Sequence, residues 1–167
     1  MAITTAEYDF KVKVTETPAL GIDGVSNPEI VYQIETTLSS GSVTPTTSVP
    51  ATTQWQDQRT LSAGADAIDL TALTDGNLPT KNLNGLKIQL VKVVASTNNT
   101  DTITIRDHTT NGYFICGDSS GQVTLPIGGR MQLYGHDGMP DVSATAKQIA
   151  VTSSDVDAVY TIQVVAG

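Results

Sequence analysis

Cysteine, aromatic side chains and charge are all scarce in this chain, and each shortage excludes a class of protein. The lone Cys116 cannot close an internal disulfide, so the expectation is synthesis in a reducing cytoplasm. Charged residues make up 16% of the sequence, against roughly 25% in ordinary soluble domains. The nine basic residues are scattered and outnumbered by seventeen acidic ones, giving a net charge of −8 and a pI near 4.4. Nucleic-acid backbones and anionic membranes require clustered Lys and Arg, so no nucleic acid and no membrane is expected as a partner. No apolar run approaches a membrane span. The opening MAITTAEYDF has neither a basic region nor an apolar stretch, so no signal peptide is expected. Walker and GxGxxG motifs are missing, and with them the commonest phosphate-binding loops.

Short alternating apolar runs are what the chain does have. A length of 167 residues suits one domain, or one domain plus an arm, burying roughly 70% of its unfolded surface. About 25 residues are Thr, which suits the half-exposed face of a sheet. The organising stretch is Leu86 to Ala95, LKIQLVKVVA. Leu86, Ile88 and Leu90 alternate with Lys87 and Gln89, and at Leu90-Val91 the apolar set jumps to the other parity, giving Val91, Val93 and Ala95. Either both faces are buried from there, or a bulge re-aims the strand.

Towards the N-terminus, Tyr8, Phe10, Val12 and Val14 predict a one-sided strand, and Ile30, Tyr32, Ile34 and Leu38 a second. Ser39 to Thr53 is nearly all Ser, Thr, Pro, Gly and Val. Pro45 and Pro50 argue against a central strand there, so residues 1–53 read as N-terminal strands plus an extended Thr/Pro-rich arm, and 54–167 as the body. Within the body, apolar pairs such as Ile103/Ile105, Met131/Leu133, Ile149/Val151 and Tyr160/Ile162/Val164 are separated by turns at Ala63-Gly64, Asn111-Gly112 and Gly128-Gly129. Asp75 to Asn77 and Asn82 to Gly85 are expected to bracket a loop before the central strand, and a second loop is expected from Gly135 to Asp141. About ten short strands without a convincing helix predict an all-β, jelly-roll-like antiparallel β-sandwich.

The candidate chemistry is thin. Asp107-His108 and His136-Asp137 lie 28 residues apart, without HxH or HxxxH spacing, and fall in turns; a surface role is the better reading than a metal site or acid/base couple. Cupin enzymes on a jelly-roll body would need a closely spaced His pair on a strand. Cys116 ends the apolar run Tyr113-Phe114-Ile115 and reads as a small buried hydrophobe. Asp23, Asp75, Asp101, Asp137, Asp141, Asp155 and Asp157 sit mostly in loops without a DxDxDG pattern, so they read as turn residues before calcium ligands. Trp55 is the best aromatic for a sugar platform, and the tyrosines fall mostly at inward positions. Asn98-Asn99-Thr100 is a glycosylation sequon, meaningful only after secretion. No catalytic, cofactor-binding or metal residue is assigned, and no cofactor is expected.

From Gln54 onward, WQDQRTLSAGADAIDLTALTDGNL, LKIQLVKV, NNTDTITIRD, GYFICGDSSGQVTLPIGGRMQLYG and VDAVYTIQVVAG succeed one another in an order that resembles a family of small structural proteins of tailed bacteriophages and their prophages. The resemblance spans about two-thirds of the chain. It implies a virion component made in the host cytoplasm, a decoration or cement protein on the head, without enzymatic activity. Its partner would be the major capsid protein, and it would be a homo-oligomer, expected to be a trimer at three-fold positions with residues 1–53 as a clamp. The alternative is a carbohydrate- or receptor-binding module of a tail or fibre; a metal enzyme on a cupin-like barrel is a third reading.

Overall fold

The computed structural model describes residues 52–75, 78–117, 120–135 and 139–167, together with four three-residue strands nearer the N-terminus. These are β1 (Ala6–Tyr8), β2 (Val14–Glu16), β3 (Ile30–Tyr32) and β4 (Gly41–Val43). β1 pairs antiparallel with β4 and β2 with β3, each a separate two-stranded ladder. The rest of the two N-terminal strands expected from periodicity, and most of the Thr/Pro-rich arm, lie outside the described residues. One difference is clear: β4 falls inside the stretch expected to lack a strand. Both prolines of that stretch come after Val43, so the amides of β4 remain able to pair.

The body strands are β5 (Thr53–Thr60), β6 (Ala65–Asp69), β7 (Leu73–Asp75), β8 (Leu78–Lys81), β9 (Ile88–Ala95), β10 (Ile103–Asp107), β11 (Gln122–Leu125), β12 (Arg130–Tyr134), β13 (Gln148–Thr152) and β14 (Val159–Ala166). β7 and β8 form a hairpin where a loop was expected. The others make two four-stranded antiparallel sheets, ordered β12-β9-β14-β5 and β11-β10-β13-β6. With the hairpin set aside, these orders are sixth-third-eighth-first and fifth-fourth-seventh-second along the chain. That is the jelly-roll arrangement of two interlocked Greek keys. The expected fold class is therefore the observed one, and among the described residues there is no helix.

The core lies between the sheets. Trp55, Val91, Val93, Tyr160, Ile162 and Val164 project from one, and Ile68, Ile103, Ile105, Leu125, Ile149 and Val151 from the other, into a single buried cluster. Burying one such side chain contributes roughly 1.5–3 kcal/mol. The parity change in the central strand is a bulge. Val165 faces Leu90 but Ala166 faces Ile88, so Gln89 is the extra residue. It keeps both Ile88 and Val91 inward and turns Leu90 to the outer face. Gln89 itself is fully buried, and its carbonyl accepts the Gly135 amide at 2.9 Å.

Tight turns carry the chain between sheets. Ala63 (φ 52°) and Gly64 (φ 78°) form a two-residue turn closed by reciprocal bonds between Ser62 and Ala65 (3.1 and 3.2 Å), the conformation favoured by such short loops. A Cβ on Gly64 would stand 2.5 Å from the Ser153 carbonyl oxygen. Pro126 to Gly129 turns the chain likewise, with φ 69° at Gly128; it joins strands of opposite sheets and is not a hairpin. YFICG is an irregular segment. Tyr113 and Ile115 are buried in the core cluster, and the Tyr113 hydroxyl donates to the Pro140 carbonyl at 2.8 Å.

Candidate functional site

The most connected polar group lies between the sheets, where consecutive strands β5 and β6 form neighbouring edges. Arg59 on β5 and Asp66 on β6 both sit at inward positions, because Arg59 faces Tyr160 and Asp66 faces Val151 across their ladders. Arg59 Nε and Nη2 donate to the two Asp66 oxygens at 2.5 and 3.0 Å, and the Tyr160 hydroxyl donates to Asp66 Oδ2 at 2.6 Å. Asp57 adds a second carboxylate 3.3 Å from Arg59. Burial works against the Asp66 charge, but the bonds from Arg59 and Tyr160 outweigh it and hold its pKa below the ordinary value. Burial and the Asp66 carboxylate push the Tyr160 phenol up. Every group is engaged by its neighbours, so the cluster ties two sheet edges together and offers no group poised for catalysis.

The residues singled out in the sequence are dispersed. His108 follows β10, and its Nδ1 lies 3.0 Å from the Thr110 carbonyl oxygen and 3.1 Å from the Thr110 amide, which donates to it. His136 and Asp137 lie outside the described residues, as do Asp23 and the side chain of Asp75. The Cys116 thiol is pushed up by burial and by Asp107, the opposite of nucleophile activation. Asp155 accepts the Thr100 amide at 2.7 Å and the Asp157 amide at 3.3 Å, and Asp101 accepts the Thr102 amide at 2.6 Å and the Ser154 hydroxyl. These bonds hold both carboxylates below the ordinary range. Asp141 is paired with Lys87 at 2.9 Å. Among the described residues no group of three His, Cys, Asp or Glu is placed to hold a metal.

Trp55 is not a platform. It is 2% exposed, and its indole N–H donates to the Thr74 carbonyl at 3.2 Å. In the sequon, Asn98 is exposed, whereas Asn99 is buried and bonded both ways to the Val159 main chain.

What sequence reasoning missed are the two outer faces. On the β12-β9-β14-β5 sheet, the register stacks the outward residues in rows. One row is Gln58, Thr161, Val94 and Arg130; the next is Gln56, Gln163, Lys92 and Gln132; the third is Gln54, Val165, Leu90 and Tyr134. In a chain of net charge −8 this face carries two cations and no carboxylate. Outward positions of the other sheet are Thr, Ala and Gln with Arg106, and its one acid, Asp69, is bound by Lys147 at 2.8 Å. The remaining described carboxylates lie between the sheets, at strand ends or in loops. Alternation along each strand places these residues; the only signal in the sequence is the polar parity of QWQDQ and TIQVV, and their pairing is invisible without the register.

No known protein family and no curated protein matches this chain.

Proposed function

We propose that this protein is a non-enzymatic structural component of a phage virion, a decoration protein that binds the outside of the capsid and stabilises it. The observation that carries the reading is the carboxylate-free outer face of the β12-β9-β14-β5 sheet, a surface of Gln and Thr with Val94, Lys92 and Arg130 in an otherwise acidic molecule. Such a face meets another protein through hydrogen bonds and apolar contact without charge repulsion. Four strands about 4.8 Å apart, with five to eight residues of about 3.4 Å each, cover on the order of 500 Å². That falls short of the roughly 800 Å² per partner of a stable interface. One copy would therefore bind weakly, and a trimer would engage three such faces at high effective concentration. In this reading the major capsid protein is the partner, residues 1–53 supply further contact as a clamp, and the virion is the location.

Bound only to the closed lattice, the protein stabilises it by mass action. Purified protein added to undecorated heads, and in parallel to tails, tests this by cosedimentation. The expected result is saturable, symmetry-related binding to heads and a higher disruption temperature, surviving moderate salt. Recovery with tails or host envelopes, and never with heads, would discard it in favour of a receptor-binding module.

A further inference from the structure

The outer face of the β11-β10-β13-β6 sheet carries two adjoining concavities of about 360 and 310 Å³, and Arg106, His108 and Thr109 line both. The larger is floored by small side chains. Ala150 stands in register beside Arg106, and Ala67 beside Ala150, so on the β13 side nothing bulky fills the sheet surface next to Arg106. Thr152 and Thr109 add hydroxyls to its wall. Among the described residues the Arg106 side chain makes no ion pair or hydrogen bond, unlike those of Arg59, Lys87 and Lys147. The one acid among the lining residues of this trough, Asp66, is turned to the other side of the sheet and held by Arg59 and Tyr160. His108 is fixed through Nδ1 against Thr110, leaving Nε2 as its atom for a ligand.

We propose that this pair of troughs binds an acidic sugar chain, with a ring carboxylate on Arg106 in the larger trough and the neighbouring ring in the smaller. A guanidinium that no described residue binds suits a carboxylate, which it holds through two parallel bonds. The alanine floor accepts the apolar face of a sugar ring, and volumes at the low end of the range for ligand sites, about 300–1,000 Å³, suit one ring in each trough. Asp107 lines the smaller trough. A second carboxylate would be repelled there, whereas sugar hydroxyls can donate to it. That combination of a cationic donor shared by both troughs and an anionic acceptor in the smaller one favours a hydroxylated acid over an acidic peptide. Without an aromatic platform among the lining residues, binding depends on the charge.

The test is a titration of ¹⁵N-labelled full-length protein with an acidic trisaccharide carrying one glucuronate between two neutral galactoses, a neutral galactose trisaccharide and N-acetylglutamate, following the amides of Arg106, Thr109, Ala150 and Thr152. Expected are shifts confined to these residues with the acidic trisaccharide, and at least tenfold weaker binding of the neutral one. Arg106→Gln is expected to weaken binding at least tenfold, and Ala67→Leu to weaken it by filling the floor, while Lys92→Gln on the opposite face leaves it unchanged. Melting curves identify any variant that fails to fold, and either of the two trough variants suffices. Equal binding of the neutral sugar, shifts elsewhere, or affinity untouched by either trough variant overturns the site. N-acetylglutamate matching the trisaccharide overturns the sugar assignment.

Discussion

Replacing Asp66 by Ala removes the acceptor of three hydrogen bonds at once, from Arg59 Nε, Arg59 Nη2 and the Tyr160 hydroxyl. Tyr160 is fully buried, so its hydroxyl is left without a partner, at a cost of about 1–3 kcal/mol. The Arg59 side chain is 26% exposed and regains part of its hydration, which discounts its share to about 1–2 kcal/mol. A central value of about 3 kcal/mol is a large part of a typical stability of about 5–15 kcal/mol. It corresponds to a melting temperature lower by roughly 6–12 °C. Urea unfolding followed through Trp55, the single and fully buried tryptophan, measures it directly. Tyr160→Phe is expected to cost about 1 kcal/mol, and the double variant less than the sum, because both changes remove the same bond. The pH dependence has a definite sign. The folded-state pKa of Asp66 is lowered, so its contribution is present above the unfolded carboxyl value of about 3.9 and is lost as pH falls through the folded value. The gap between wild type and Asp66→Ala should hold from about pH 5 to 8 and shrink below about pH 4. A gap under about 1 kcal/mol at neutral pH, or one that widens in acid, would refute the reasoning.

Other parts of the fold make their own predictions. Gly64→Ala forces a Cβ onto the Ser153 carbonyl at a positive φ, and a loss of about 1–3 kcal/mol is expected in the same unfolding assay; an unchanged midpoint would mean the two turns do not approach so closely. Deleting Val159 to Gly167 takes β14 from between β5 and β9 and should leave no soluble protein that melts cooperatively. Excess chelator should leave the melting temperature unchanged, because Asp101 and Asp155 already bind turn amides and hydroxyls; a drop of several degrees would point to a bound cation.

Much of the fold was legible because strands buried on one face declare themselves by alternation. Ile103/Ile105, Ile149/Val151 and Tyr160/Ile162/Val164 all point inward as their spacing predicts. The turns at Ala63-Gly64, Asn111-Gly112 and Gly128-Gly129 were legible because Asn and Gly tolerate positive φ. The Gln89 bulge showed only as an ambiguity, since one inserted residue and two-sided burial give the same apolar pattern. The β7–β8 hairpin is not legible because its strands, Leu73–Asp75 and Leu78–Lys81, are too short to show an alternation on either side of the DGN turn. The bond from Tyr160 to Asp66, which completes the tie with Arg59, spans 94 residues and exists only once the topology brings β6 against β14. The outer faces are likewise a product of register: no local stretch reveals that Gln56, Gln163, Lys92 and Gln132 share a row.

The central claim, that the β12-β9-β14-β5 face is the surface that meets the capsid, is tested most directly by reversing the charge of its middle row. Gln163 and Lys92 are in register there. Lys92→Glu combined with Gln163→Glu should preserve the melting temperature and lower cosedimentation with undecorated heads at least tenfold, while Ala67→Glu on the opposite face binds as wild type does. Equal binding by both variants, or no binding of the wild-type protein to heads, would contradict it.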